Sequence, residues 1–172
     1  DLPKYLLFYD QLAHGLTPIT SSRLTGFQLS SSLMVRPIGK GNPLIEVRAV
    51  TEGDKINDQV ISKLSSLGDH LTHLDLRNSS ITDKSCLTIS NFKNLSKLNI
   101  RATEIGDLGI NQLLKMPNLQ SLNLSETRVS GKSLKSLLSL RPLEDLSIWN
   151  CEILDTEIAK FKQAKPLVRV NF

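Results

Sequence analysis

The sequence predicts an α/β fold: a right-handed solenoid of stacked strand–turn–helix units behind an N-terminal cap. Three observations carry that expectation. Four consecutive segments align without a gap at a period of twenty-four residues: LTHLDLRNSSITDKSCLTISNFKN (71–94), LSKLNIRATEIGDLGINQLLKMPN (95–118), LQSLNLSETRVSGKSLKSLLSLRP (119–142) and LEDLSIWNCEILDTEIAKFKQAKP (143–166). Each opens L-x-x-L-x-L/I and carries Ile or Val at its eleventh position (Ile81, Ile105, Val129, Ile153). The length, 172 residues with 40% apolar and 22% charged, suits one domain with a real core. No such unit can bury its apolar stripe alone. Units must stack, strands into one parallel sheet and helices into an outer layer.

Residues 1–43 lack the period and are expected to cap the first strand. Within them 3–15 reads as a short amphipathic helix ended by Gly15, and 20–27 as a turn of helix. Residues 33–38 and 43–50 read as two extended runs joined by a tight turn, with Pro37 marking the first as an edge strand. Residues 44–70 form an irregular first unit with three extra residues; with the four gapless units and a partial start at 167–172, the count is about five and a half repeats.

Inside each unit the first, fourth and sixth positions point inward from a short strand and the residues between them point out. Asp83, Asp107 and Asp155 stand just ahead of a helical apolar pattern and read as N-caps, a series that Gly131 breaks. The helices would bury Cys86, Ile89 and Phe92; Ile110, Leu113 and Met116; Leu134, Leu137 and Leu140; Ile158 and Phe161. Asn94, Asn118, Pro142 and Pro166 end them. At the ninth position Ser79, Thr103 and Thr127 offer hydroxyls to a hydrogen-bonded turn ladder, while Cys151 offers only a weak donor. Cys151 and Cys86 read as small buried fillers, on different layers and out of disulfide reach.

The L-x-x-L-x-L/I opening at this period resembles the leucine-rich repeat. Turns such as RATEIGDLG (101–109) resemble those of bacterial repeat proteins of the cysteine-containing or ribonuclease-inhibitor-like kind. LMVRPIGKGNPLIEVRAV (33–50), followed by GDHLTHLDLRNSSITD (68–83), is similar to the C-terminal region of bacterial membrane-tethered proteins in which a planctomycete-type cytochrome c domain precedes the repeats. That resemblance covers residues 17–172. It implies an exported or periplasmic module, tethered through a region this sequence does not contain. The haem motif is absent, so no cofactor is carried over. An opening Asp1 in place of Met likewise reads as a mature product or an excised piece.

Chemistry is sparse. No P-loop, G-x-S-x-G, H-E-x-x-H, dinucleotide or haem motif occurs, and nothing at metal-ligand spacing surrounds either Cys. No apolar run approaches the ~20 residues of a membrane span. The net charge of +4 sits entirely in residues 71–172, a weak signal for polyanions without the interleaved aromatics that nucleic acid would want. Lys132, Lys135, Lys160, Lys162 and Lys165 on the helices read as a solvated face. His73 and Asp75, outward on one strand, form the sole candidate catalytic pair and read better as an exposed ion pair.

A protein or peptide ligand on the concave strand face is the expected partner, with Trp149, Arg77, Arg101, Lys97, Asn99, Asn123, Asp75 and His73 as candidate contacts. Arg77 and Arg101 stack in one column, where either an acidic ligand or Asp75 would relieve their repulsion. The alternative is a structural or assembly domain of a larger redox protein, contacting neighbours through the C-terminal end at 167–172.

Overall fold

The computed structural model describes residues 32–38, 43–51 and 53–172. The expected helix at 3–15, the helical turn at 20–27 and the tight turn at 39–42 lie outside them. The described chain runs β1 (Leu33–Pro37), β2 (Ile45–Ala49), β3 (Gly53–Asn57), α1 (Asp58–Lys63) continued by a 3-10 turn at Leu64–Leu67, β4 (Leu71–Asp75), β5 (Ser79–Ser80), α2 (Asp83–Ile89), β6 (Lys97–Asn99), α3 (Asp107–Leu113), β7 (Ser121–Asn123), α4 (Gly131–Leu137), β8 (Asp145–Ser147), α5 (Asp155–Ala164) and β9 (Arg169–Asn171).

Seven strands form one sheet in the order β1-β2-β4-β6-β7-β8-β9. β1 pairs antiparallel with β2 at the edge, where the missing N–H of Pro37 costs little. Every later pair is parallel, with helices returning the chain between strands. The ladder continues past the formal strands, for instance Ile100 N–H to Asn123 O at 3.0 Å and Ala102 N–H to Ser125 O at 2.9 Å. Each gapless unit then bends through a left-handed residue: Asn78, Ala102, Glu126 and Asn150 have φ between 53° and 59°.

The period of twenty-four becomes a core of stacked layers. Leu71, Leu74 and Leu76, and their equivalents in the next three units, are all buried, as are Ile81, Ile105 and Val129; Ile153 is half-buried. Every helical residue expected in the core is buried there. At roughly 1.5–3 kcal/mol per fully buried aliphatic side chain, this repeating layer dominates stability.

The aspartates act differently from expectation. The N-cap residues are Thr82, Gly106, Ser130 and Leu154, and Asp83, Asp107 and Asp155 are the first helical residues. From there a carboxylate reaches the following unit instead of its own helix. Asp107 accepts from Ser130 N–H (2.9 Å), Ser130 Oγ (2.6 Å) and Ser133 Oγ (2.5 Å). Asp58 does the same with Thr82 N–H, Thr82 Oγ1 and Ser85 Oγ, and Asp83 accepts from Gly106 N–H at 2.7 Å. Burial pushes the Asp58 and Asp107 carboxyls up, but the hydrogen bonds outweigh it and hold both below the ordinary value.

The ninth-position ladder also differs in detail. Ser79, Thr103 and Thr127 donate to the carbonyl three residues back in their own turn, at 2.5–2.7 Å. Cys151, half-buried and thus less enclosed than expected, alone reaches the preceding unit, its Sγ 3.1 Å from Leu124 O. Cys86 is fully buried, and burial first of all pushes its thiol up to about 12, so it carries no reactive thiolate. No helix among the described residues is long and apolar enough to cross a membrane.

Candidate functional site

Parallel in-register pairing turns the outward strand positions into columns. One runs Glu46, His73, Lys97, Ser121, Asp145, Arg169 and the next Arg48, Asp75, Asn99, Asn123, Ser147, Asn171. Nine of these residues, from Glu46 to Ser147, line a shallow groove of about 400 Å³ on the sheet face opposite the helices. A larger hollow of about 1000 Å³ follows the left-handed turns. Of its charged residues Arg128 and Glu104 pair with each other at 3.5 Å, Glu126 is engaged by Arg101, and Glu152 completes the set. The strand face is the better candidate because it brings residues of five successive strands of the sheet into one row.

Most charges on this face are matched by neighbours. Asp75 binds Arg77 through both carboxylate oxygens and lies 3.8 Å from Arg48. Arg169 meets Asp145 at 2.8 Å. The expected His73–Asp75 pair is not formed: the His73 ring faces Glu46 on β2 at 3.9 Å. Side chains two apart on a strand are ~6.6 Å apart, whereas cross-strand neighbours are ~4.8 Å apart, and the nearer acid wins. Burial lowers the His73 pKa, Lys97 lowers it further, and together they outweigh Glu46, which favours the uncharged ring.

Local pairing relieves the arginine column. Asp75 takes Arg77, as the simpler reading had it, but Arg101 is held by Glu126, with Nε at 2.8 Å from Oε1. Glu126 was not among the sequence candidates. It sits on the left-handed turn one repeat plus one residue beyond Arg101, and that opposite charge was the signal available. The Arg101 guanidinium also lies 6.0 Å from the centroid of the Trp149 ring. Trp149 is 55% exposed, so it is a surface residue with one flank covered.

Lys97 has no hydrogen-bond or ion-pair partner among the described residues and stands exposed between His73 and Ser121. Asn99 and Asn123 occupy the next column. Each Oδ1 accepts the backbone N–H two residues on, Arg101 at 3.1 Å and Ser125 at 3.0 Å. These turns settle which end of each amide faces inward. The structure thus gathers Lys97, Asn99, Asn123, Asp75 and His73 around one groove and leaves Arg77, Arg101 and Trp149 outside its lining. On the helical side Lys165 departs from a solvated surface, since its Nζ donates to Leu140 O at 2.5 Å and burial lowers its pKa. No cluster of three or more metal-ligating side chains occurs among the described residues.

A family model described as Leucine Rich repeat matches residues 70–90 and 115–138. Among solved structures, an internalin from Listeria monocytogenes matches with a TM-score of 0.50 and 23% identity, over 64% of this chain and 31% of that one. A leucine-rich-repeat protein of Leptospira interrogans matches with a TM-score of 0.37 and 15% identity, over 64% and 39%. The chain therefore spans about a third of the length of the structures it resembles. The internalin likeness shows the fold alone. No curated protein matches the sequence significantly, and none of these comparisons bears on the resemblance to cytochrome-type parents.

Proposed function

We propose that this chain, a leucine-rich-repeat solenoid, is a non-catalytic module that recognises a protein or peptide through the open strand face. The observation that carries the reading is the in-register columns: one continuous polar groove, with the exposed Trp149 and its neighbour Arg101 on the same side. An aromatic ring and an arginine at the surface are the residue types that supply most binding energy at protein interfaces. Catalysis has no support there, because His73 faces Glu46 and is hydrogen-bonded to no Ser, Thr or Cys side chain among the described residues. A placement outside the cytoplasmic membrane belongs to the same proposal, on the resemblance alone.

Selection of a displayed random-peptide library on the immobilised chain tests this reading. Peptides enriched on the wild type are expected to lose at least about tenfold in affinity for a Trp149→Ala, Arg101→Glu double variant and to keep it for Lys132→Glu on the helical side. Equal retention by all three proteins removes the strand face from consideration. The alternative, an assembly domain of a larger redox protein, draws on the exposure of Leu167 and Phe172 beside β9. It predicts concentration-dependent association that Leu167→Lys abolishes.

A further inference from the structure

We infer that the centre of the open face is a carboxylate-recognition site, in which Lys97, Asn99 and Asn123 receive an aspartate or glutamate side chain of the partner. The inference rests on the reading of this face as the recognition surface and names the chemistry it selects. It starts from the orientation of the two amides. Because Oδ1 of Asn99 and of Asn123 is held by a backbone N–H, the Nδ2 groups are the ends left to the groove, and neither donates to any described residue. Two strands in register therefore present N–H donors side by side, with the exposed Lys97 ammonium on the same strand as Asn99.

The surroundings sharpen the selection. The carboxylates nearest these donors are already taken, Asp75 by Arg77 and Arg48 and Asp145, just beyond the lining, by Arg169, while Glu46 lies two strands away beside His73. Ser147 receives the Asn171 amide at 3.3 Å. What remains unmatched on β6 and β7 is a set of donors with one positive charge, Lys97. Donors without acceptors fit an anion better than a neutral amide, which would leave its own N–H unpaired. A single ammonium flanked by neutral amides, with the guanidinium of Arg48 turned to Asp75, matches a singly charged carboxylate better than a doubly charged phosphate. The same position in the preceding unit is Asp75, which has no N–H to offer, so the donor row begins at Asn99.

The test is a ¹H–¹⁵N NMR titration of the whole chain with three probes: acetyl-Glu-Glu-Glu amide, its isostere acetyl-Gln-Gln-Gln amide, and inorganic phosphate. The acidic peptide is expected to shift the Asn99 and Asn123 side-chain amide signals saturably. The glutamine peptide is expected to leave them in place, and Lys97→Met, a substitution at an exposed site, to weaken the acidic peptide by about tenfold. Equal shifts with the glutamine peptide, binding of phosphate as tight as that of the acidic peptide, or no saturable shift would each overturn the inference. Its failure is separable from that of the broader reading. Library peptides that bind the open face without Asp or Glu, and are indifferent to Lys97→Met, sink the carboxylate site alone, whereas peptides indifferent to Trp149→Ala, Arg101→Glu sink the face.

Discussion

The joint between the second and third gapless repeats and the joint between the third and fourth are built from the same sequence period, yet they are held differently. At the former, Asp107 gathers an N–H and two hydroxyls from the next unit. At the latter the equivalent position is Gly131, and Glu157 folds back into the vacated space to accept Leu154 N–H at 3.0 Å within its own unit. An apolar hollow of about 390 Å³ opens there, bordered by Gly131, Leu134, Leu138 and Phe161. The other edge of the stack shows a parallel substitution. Asn94 and Asn118 bridge back to Asp69 O and Lys93 O, whereas Pro142 and Pro166, at the two later joints, cannot, and Lys165 beside Pro166 instead reaches Leu140 O. In a solenoid each unit touches only its neighbours, so losing a carboxylate rung weakens one interface and leaves the rest intact. The fourth repeat is the unit expected to open first.

Removing the strongest rung gives the largest effect. Asp107→Ala leaves a half-buried N–H and two hydroxyls without their acceptor and is expected to cost about 2–3 kcal/mol, read as a lower urea midpoint. Asp83→Ala removes a single accepted bond and should cost about half as much. Parity between the two would show that the rung is not what joins the repeats.

Acid should act on the same contacts. Because Asp58 and Asp107 have folded pKa values below their unfolded ones, the stability they contribute is complete above the ordinary carboxylate value of about 3.9. It is lost as pH falls through their lower folded values. Urea midpoints followed downward from pH 5 should fall less steeply in an Asp58→Asn, Asp107→Asn variant than in the wild type, and equal slopes would assign the acid response elsewhere.

The smallest effect carries the most information, because its sign reverses. A Cβ at Gly131 would lie 1.8 Å from Glu157 Oε1, so Gly131→Asp sets two carboxylates against each other and should destabilise by about 1 kcal/mol. Adding Glu157→Ser supplies a hydroxyl where Ser133 offers one to Asp107. The double variant should exceed the wild type, with slower amide exchange at Leu146 and Ile148. If exchange in the fourth repeat stays unchanged, the hollow and not the missing rung is the weak point.

How far the sequence could be read depended on whether a feature needed one strand or two. The buried Leu, Ile and Val positions were legible because burial repeats with the chain, and so were the outward columns, which follow from period-two alternation and an unbroken register. The role of Asp107 was not, since a one-residue difference between N-cap and first helical position turns the carboxylate from its own helix toward Ser130 of the next. His73 was read against Asp75 for a similar reason: sequence shows the neighbour two residues along and hides Glu46, which only strand pairing brings close. Glu126 escaped because a left-handed turn carries it back toward Arg101.

The sequence by itself determined the leucine-rich-repeat solenoid, its layer of buried aliphatic residues and the list of side chains on the open face, since each depends only on a periodic pattern of apolar and polar residues. Tertiary structure decided which charges cancel and which are left over. Glu126 engages Arg101 and Glu46 faces His73, while Lys97 and two amide donors remain without partners among the described residues, because such pairing is set by distances of a few ångströms between segments about one repeat apart in the chain.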